Sequence, residues 1–376
     1  MEWMHWLISV SVVYLLVIVL SCIAHHPPGP FYTIGRFERA RCTGKNRLEG
    51  ICLTRGECDL GEGIHAGPCG HTHSFAQKHA ICCNFQMECG ETSDFPVSYF
   101  FNPEYPSTYD GGGKCTLYSE AYHKEICQLR IDFLSFSLAP PNGDGYCRID
   151  ALTITGLAKG TQIPQLCGEN SGQHIYIDYD GRQPIILTFQ TTDSYVFKRR
   201  WQLQLTQIPC RSEERAPTGC LQYYKSSAGT VQSFNYDGAG SAMMNSIGVS
   251  GTRHLANLKY KICIKQHLDK CSIAWSQVAS DRYSFTMTDD ASSVDPTLLG
   301  TMHVQSQKCR TDYVSIPSPE QSGNKLIGDR FCGLGLVPTI SFSKPFGLVV
   351  VTDGDEISDM GNRGFYLTYT QRQCPV

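Results

Sequence analysis

CRID at residues 147–150 and CRTD at residues 309–312 are the two copies of the pattern that decides the fold of this chain. In each copy a Cys-Gly pair follows after about twenty residues, beginning at Cys167 and Cys332. A final cysteine closes each copy about forty residues further on. A repeat of this length predicts two domains of one fold rather than a solenoid of short units.

Eighteen of the 19 cysteines fall into three groups of six. The first group lies in about forty residues rich in Gly and charge, which hold too few apolar side chains to form a core without disulfides. The groups are Cys42, Cys52, Cys58, Cys69, Cys82 and Cys83; then Cys89, Cys115, Cys127, Cys147, Cys167 and Cys210; and then Cys220, Cys263, Cys271, Cys309, Cys332 and Cys374. Such a framework indicates pairing in an oxidising compartment.

The N-terminal segment predicts secretion. Residues 7–23 are nearly unbroken apolar sequence, and Cys22-Ile23-Ala24 suits signal-peptidase cleavage after Ala24. Cleavage removes Cys22 and leaves an even number of cysteines for pairing. A retained signal anchor stays open, because about 17 apolar residues approach the lower limit for spanning a bilayer. The sequence therefore predicts a secreted, extracellular protein with no membrane span after cleavage.

The composition indicates folded domains without a strong overall charge. Of the 376 residues, 41% are hydrophobic and 18% are charged, which is enough to bury ordinary cores in two or three domains. The 32 Lys and Arg residues against 35 Asp and Glu residues leave a net charge of -3, which argues against nucleic acid as a partner. The one basic cluster, Lys198, Arg199 and Arg200, is predicted to be a solvated hairpin tip.

Short runs of β-branched and aromatic residues predict strands. Examples are residues 174–179, 185–189, 283–287 and 347–351, mostly bounded by Gly, Pro, Asp or Asn. Turn signals such as PNGDG at residues 141–145 separate these runs, and long helical periodicity is absent. The pattern predicts a mostly β protein with two antiparallel β-sandwich domains after a small disulfide-rich knot.

The residues of the repeat carry a family resemblance. Cys89-Gly90, followed by FFNPEYPSTY at residues 100–109 and by Cys115, resembles the opening of a CUB domain, which is a jelly-roll sandwich. LCG at residues 166–168 resembles the segment around the second disulfide of that family. The second copy resembles it at residues 309–316, 330–333, 351–353 and 364–369. The two CUB-like regions together cover roughly residues 89–376.

The order of the first six cysteines carries a second resemblance. Five spaced cysteines with a sixth directly after the last resemble the clip-type knots of arthropod extracellular proteins. The whole arrangement is similar to arthropod proteins in which a knot precedes CUB domains. The expected organisation is a signal peptide at residues 1–24, a linker at 25–41, the clip-like knot at 42–88, a first CUB-like domain at 89–213 and a second at 214–376.

The resemblances imply a disulfide scheme, although fifteen pairings of the first group stay formally open. A standard CUB domain has four cysteines, and the symmetry of the two extra cysteines in each copy suggests that they tie an internal strand to the end of the domain. The expected pairs are Cys42–Cys82, Cys52–Cys69 and Cys58–Cys83 in the knot; Cys89–Cys115, Cys127–Cys210 and Cys147–Cys167 in the first copy; and Cys220–Cys263, Cys271–Cys374 and Cys309–Cys332 in the second.

The resemblance also implies a candidate calcium site. Many CUB domains bind calcium through acidic residues at one end of the sandwich, and calcium requires oxygen ligands. The third ligand position holds Ala139 in the first copy, so a capping or turn role for its two aspartates is the alternative. The matching residues are Asp150 and Asp193 in the first copy, and Asp312, Asp353 and Asp289 or Asp290 in the second.

The sequence predicts binding rather than catalysis. Neither the zinc-protease motif H-E-x-x-H nor the nucleophile motif G-x-S-x-G occurs, and His71, His73 and His79 in the knot are predicted to be inert loop histidines. The expected function is binding of other extracellular proteins through the CUB-like domains, with a protease cascade as one setting. The alternatives are a carbohydrate- or matrix-binding protein, and a regulatory relative of clip and CUB proteases without their catalytic domain.

Overall fold

The computed structural model of the chain describes residues 40–69, 80–158, 160–181, 183–237, 239–246, 248–249, 251–288, 294–300, 303–356 and 361–375. The predicted signal peptide, the three knot histidines and Asp289 lie outside these ranges. Arg41–Val376 is one compact unit. Within the described ranges, no helix has both the length and the apolar character needed to cross a membrane.

A small sheet and one short helix form the knot. Their bounds are β1 (Arg41–Thr43), β2 (Glu49–Leu53), α1 (Arg55–Leu60), β3 (Ile64–Pro68) and β4 (Ile81–Asn84). The strands pair antiparallel in the order β1-β2-β4-β3. Helix α1 begins with a capping box, in which the Thr54 hydroxyl accepts the backbone N–H of Glu57 and the Glu57 carboxylate accepts that of Thr54. The helix places Cys58 inside the knot, where its side chain is fully buried.

Two packed sheets form the first sandwich. Its strands are β5 (Gln86–Met87), β6 (Thr92–Ser93), β7 (Val97–Phe101), β8 (Gly113–Ser119), β9 (Ile126–Ser137), β10 (Ala151–Thr155), β11 (His174–Asp178), β12 (Ile185–Thr191) and β13 (Arg200–Pro209). One sheet has the order β11-β9-β13-β7-β5 and the other β10-β12-β8-β6. Ile185, Leu187 and Phe189 alternate into the core from β12. Phe189 stacks on Trp201 of the opposite sheet, with ring centroids 4.1 Å apart.

The second sandwich repeats this plan with more strands. They are β14 (Gln222–Tyr224), β15 (Ala228–Gln232), β16 (Lys259–Ile264), β17 (Lys270–Gln277), β18 (Phe285–Thr286), β19 (His303–Gln305), β20 (Tyr313–Ser315), β21 (Pro319–Gln321), β22 (Asn324–Lys325), β23 (Arg330–Gly333), β24 (Thr339–Ser341), β25 (Gly347–Val351) and β26 (Gly364–Gln373). One sheet has the order β14-β16-β25-β20-β23-β19; the other has β15-β26-β17-β24-β21-β22, with β18 paired to β26. A single 3₁₀ turn, Ser306–Lys308, interrupts the described strands. The predicted mostly β fold class is confirmed.

Disulfides join all eighteen cysteines of the described ranges. Two of them occupy equivalent places, because each ties an internal strand, β9 or β17, to the cysteine directly after the last strand of its sandwich. The bonds are Cys42–Cys82, Cys52–Cys69, Cys58–Cys83, Cys89–Cys115, Cys127–Cys210, Cys147–Cys167, Cys220–Cys263, Cys271–Cys374 and Cys309–Cys332.

The knot is packed directly onto the first sandwich. Strand β5 lies before residue 89, where the first CUB-like domain is expected to begin, yet it pairs with β7 of that sandwich. The backbone carbonyl of Glu49 accepts the Tyr99 hydroxyl at 3.0 Å, and the Glu49 carboxylate accepts the Gln204 amide at 3.0 Å. Phe85 stacks on Phe95 with ring centroids 3.6 Å apart. These contacts explain why the knot does not form a separate unit.

The predicted turn at residues 141–145 joins the first sandwich to the second. The Gly143 carbonyl accepts the backbone N–H of Thr252 at 2.9 Å. A Cβ on Gly143 would lie 2.1 Å from the backbone nitrogen of Asn245, so only glycine fits this close approach. The turn is therefore part of the contact between the sandwiches rather than a free loop.

A second contact between the sandwiches surrounds His174 of β11. This side chain is 7% exposed, and its Nε2 lies 3.0 Å from the carbonyl oxygen and 3.2 Å from the backbone nitrogen of Tyr223. The neighbouring Gln173 donates to the Ser233 carbonyl at 3.3 Å. Burial, assisted by the nearby Arg130, lowers the pKa of the His174 imidazole to about 4. The imidazole is therefore neutral at physiological pH.

Acidification should destabilise the protein through His174. The imidazole takes up a proton near pH 6.5 in the unfolded chain but only near pH 4 in the folded protein, so the unfolded state binds more protons between these values. The stability that His174 contributes is present above pH 6.5 and is lost as the pH falls to about 4; it amounts to about 3 kcal/mol.

Urea unfolding at about pH 7.5 and about pH 4.5 measures this loss. The wild type should lose more stability between the two conditions than His174→Gln, whose amide does not titrate. His267→Gln removes an exposed histidine and is the matched control, which should behave like the wild type. Equal losses in the wild type and His174→Gln would contradict the assignment.

Candidate functional site

Asp150 lies at the end of the first sandwich, directly before β10, and is 1% exposed. Its carboxylate accepts backbone N–H groups from Ala139 at 2.8 Å and Thr192 at 3.2 Å. It also accepts two hydrogen bonds from the Arg199 guanidinium, from Nε to Oδ2 at 2.8 Å and from Nη2 to Oδ1 at 3.1 Å. This bidentate pair supplies the positive charge that a buried carboxylate requires.

Arg199 directly precedes β13 and is fully buried. Its remaining N–H groups donate to the backbone carbonyls of Asp110, Phe197 and Tyr195. All five guanidinium donors are therefore used. The prediction of a solvated hairpin tip is wrong for Arg199, because its guanidinium is the internal counter-ion of Asp150. Its neighbour Lys198 is exposed, and its ammonium pairs with the Asp110 carboxylate at the surface.

The first sandwich does not fit calcium at this position. Each Asp150 oxygen already accepts two hydrogen bonds, and a guanidinium lies where a cation would have to bind. The other expected ligand, Asp193, is exposed and lies against Gly112. Asp150 thus has a structural role as one half of a buried ion pair.

Asp312 holds the corresponding place in the second sandwich, directly before β20, and is 0% exposed. Its Oδ1 accepts the backbone N–H of Asp353 at 2.9 Å, much as Asp150 accepts that of Thr192. The arginine before the last strand of this sandwich, Arg363, lies over the Tyr283 ring. The surroundings of the two aspartates therefore differ.

His254 and Glu356 complete a buried cluster with Asp312. Each of the two is 1% exposed. The His254 Nε2 lies 2.5 Å from Glu356 Oε2 and 3.9 Å from Asp312 Oδ2. One ligand atom from each residue lies within 4.8 Å of the others. Burial raises the pKa of the Glu356 carboxyl above its ordinary value, although the neighbouring imidazole opposes this effect.

The expected calcium ligands of the second sandwich come together in part. Asp312 and Asp353 are neighbours, but Asp353 Oδ1 accepts the backbone N–H of Asp355 at 2.8 Å. Asp289 lies outside the described residues. The donor beside Asp312 is the His254 imidazole, whereas calcium takes oxygen ligands. This mixed set of donors does not fit calcium.

Sequence reasoning places Asp312 at this end of the sandwich but misses its two partners. His254 and Glu356 are 102 residues apart in the chain, and neither belongs to a local motif. Arg199 is missed because one member of a basic run gives no sign that it is buried. Its place directly before the last strand is no signal either, because Arg363 has the same place in the second sandwich and lies over the Tyr283 ring.

Comparison with protein families identifies the second sandwich. Residues 217–372 match the family model of the animal CUB domain. This chain contains a CUB domain. The matched range includes β14 to β25 and most of β26, so the buried cluster of His254, Asp312 and Glu356 lies within the CUB domain. Such domains are typical of extracellular proteins.

Three solved structures are also similar to this chain. The CUB1-EGF-CUB2 domains of rat MASP-1 have 12% identity, a TM-score of 0.25, and coverage of 76% of this chain and 99% of that one. The CUB1-EGF-CUB2 domain of human MASP-1/3 has 14% identity, a TM-score of 0.26, and coverage of 74% and 100%. The extracellular region of zebrafish Gpr126/Adgrg6 has 13% identity, a TM-score of 0.27, and coverage of 77% and 37%. No curated protein matches the sequence.

Proposed function

We propose that this chain is a secreted, non-enzymatic adaptor that binds other extracellular proteins through its CUB-like sandwiches. The observation that carries the proposal is the CUB domain at residues 217–372, a type of domain that serves as a protein-interaction module. Its packing with the knot and the first sandwich into one compact unit supports a rigid binding surface. The disulfides support an oxidising, extracellular location.

The finer parts of this proposal rest on the sequence. The clip-like order of the knot cysteines supports an arthropod origin and a place in an extracellular protease cascade, in which the knot is a docking element. The division into a knot at residues 42–88 and CUB-like domains at 89–213 and 214–376 belongs to the same proposal. The separate sheets of the knot and of each sandwich support that division, except that β5 precedes residue 89 and belongs to a sheet of the first sandwich.

One surface of the second sandwich is a suitable place for a partner. Strands β21, β22 and β24 lie at the edge of their sheet, and a shallow groove there is lined by residues that include Pro319 and Leu326. Phe342 at the groove is 47% exposed, and Ile327, which directly follows the lining residue Leu326, is fully exposed. Exposed apolar side chains around a groove are typical of protein-binding sites. We call this surface the edge groove.

Charge at the edge groove should weaken partner binding. The double variant Ile327→Asp and Phe342→Asp replaces two exposed apolar side chains, so its affinity for a protein partner should fall by about 30-fold or more while the fold is kept. The immobilised full chain is exposed to extracellular fluid, and cross-linking with mass spectrometry identifies the bound protein. The affinity of the purified partner for wild type and variant is then measured.

Leu268→Asp is the matched control, because Leu268 is 92% exposed on the same sandwich and is not among the residues that line the groove. This variant should bind the partner as the wild type does. Equal binding by all three proteins would exclude the edge groove. Specific binding to a glycan array without any protein partner would instead favour the carbohydrate-binding alternative and contradict the proposed function.

A further inference from the structure

We propose that His254, Asp312 and Glu356 form a binding site for a first-row transition-metal ion, with Zn²⁺ as the best match. The three side chains come from the loop before β16, the residue before β20 and the loop after β25. They meet inside the second sandwich, and each is at most 1% exposed. The site shares Asp312 with the calcium site that the family resemblance implies, but it differs in its other two ligands and in its metal.

Two carboxylate oxygens in the cluster are available to a metal. Asp312 Oδ2 and Glu356 Oε1 are buried and have no hydrogen-bond partner among the described residues. Leaving such atoms without a partner costs free energy, so a buried acceptor of this kind indicates a ligand. Asp312 Oδ2 is held in place because Oδ1 of the same side chain accepts the backbone N–H of Asp353. This second contact orients the carboxylate, as is usual for metal ligands.

The donor atoms select the class of metal. One imidazole nitrogen and two carboxylates are typical ligands of zinc and related ions, whereas calcium takes six to eight oxygen ligands. Ligand atoms about 2.0–2.1 Å from a zinc ion lie about 3–3.5 Å from one another. The separations from His254 Nε2, 2.5 Å to Glu356 Oε2 and 3.9 Å to Asp312 Oδ2, lie on either side of that range. Small side-chain shifts would therefore bring both separations into the range that a bound zinc ion requires.

The charge of the cluster also favours a bound metal ion. Both carboxylates of the cluster are buried, and a bound dication would supply the positive charge that buried carboxylates require. In the first sandwich the equivalent aspartate, Asp150, is neutralised by the buried Arg199. In the second sandwich the residue before the last strand, Arg363, contacts Tyr283. An external cation would take the place that the arginine has in the first sandwich.

Metal binding would also affect the contact between the two sandwiches. The loop that carries Glu356 accepts the Tyr146 hydroxyl of the first sandwich at the Gly354 carbonyl, with a distance of 2.6 Å. The loop that carries His254 donates the N–H of Thr252 to the predicted turn of the first sandwich. An ion that joins the two loops would therefore stabilise both sides of this contact.

The test uses the full chain, treated with chelator and then incubated with Zn²⁺ or Ca²⁺ alone. Calorimetric titration should show one Zn²⁺ site per chain that is weakened about 100-fold or more in Glu356→Gln, which keeps the shape of the side chain but loses its charge. His303→Gln and Glu320→Gln change a histidine and a glutamate elsewhere in the same sandwich, and both should bind Zn²⁺ like the wild type. Undiminished Zn²⁺ binding by Glu356→Gln would overturn the proposal.

The wild type decides the question even if Glu356→Gln fails to fold. X-ray absorption of the zinc-loaded chain should show one imidazole and otherwise oxygen ligands at about 2.0 Å. Zinc should also raise the unfolding temperature more than calcium does. An oxygen-only shell, several imidazole ligands, or stabilisation by calcium alone would each overturn the proposal.

Discussion

Replacing Arg199 by methionine should lower the free energy of unfolding by about 3–5 kcal/mol. The substitution leaves the Asp150 carboxylate buried without its counter-ion, and it also leaves the carbonyls of Asp110, Phe197 and Tyr195 without their donor. Methionine has a similar length, so the loss measures charge and hydrogen bonding more than volume. Urea unfolding followed by tryptophan fluorescence reports the change, because Trp201 lies two residues along in the same core.

Arg200→Met is the matched control, since Arg200 is the exposed neighbour in the same basic run. That substitution should change stability by less than about 0.5 kcal/mol. The pair can be tested further with Asp150→Asn: the two substitutions remove one interaction, so their effects should not add in the double variant. Additive effects, or a cost for Arg199→Met no greater than that for Arg200→Met, would show that the ion pair is not what holds this end of the sandwich.

The strands could be predicted because their signal is local. Residues 185–189 and 347–351 form strands β12 and β25, where β-branched and aromatic side chains face a core. The run 283–287 is only partly a strand, since Phe285–Thr286 pairs with the first residues of β26 and Met287 forms a single bridge to Gly333. Residues 284–287 are all buried, so hydrophobic pattern alone overstates the length of the strand.

The chemistry of the two aspartates could not be predicted in the same way. Asp150 and Asp312 follow a cysteine by the same spacing, which is a local signal and places both before a strand. The neighbours that distinguish them come from remote parts of the chain: Arg199 is 49 residues from Asp150. Which charge meets each carboxylate depends on how the loops at the end of each sandwich close. This is a property of tertiary packing and has no counterpart in residue spacing.

Removing the Cys271–Cys374 bond should be among the most destabilising changes in the chain. The bond closes a loop of 103 residues, for which chain entropy in the unfolded state predicts a loss of about 4.7 kcal/mol. The Cys271→Ser and Cys374→Ser double variant should therefore unfold at a much lower urea concentration. The last strand, β26, should be affected first, because Cys374 directly follows it and the bond ties its end to β17.

The Cys309–Cys332 bond provides the matched control within the same sandwich. It closes a loop of 23 residues, so the same entropy argument predicts a smaller loss of about 3.4 kcal/mol when both cysteines become serine. The difference between the two double variants, about 1.3 kcal/mol, isolates the effect of loop length. Cys332 and Cys309 are both buried, whereas Cys271 is half-buried, so burial alone predicts the opposite order. A larger loss for the Cys309–Cys332 variant would show that local packing around the sulfurs, rather than the closure of the long loop, determines how these disulfides stabilise the sandwich.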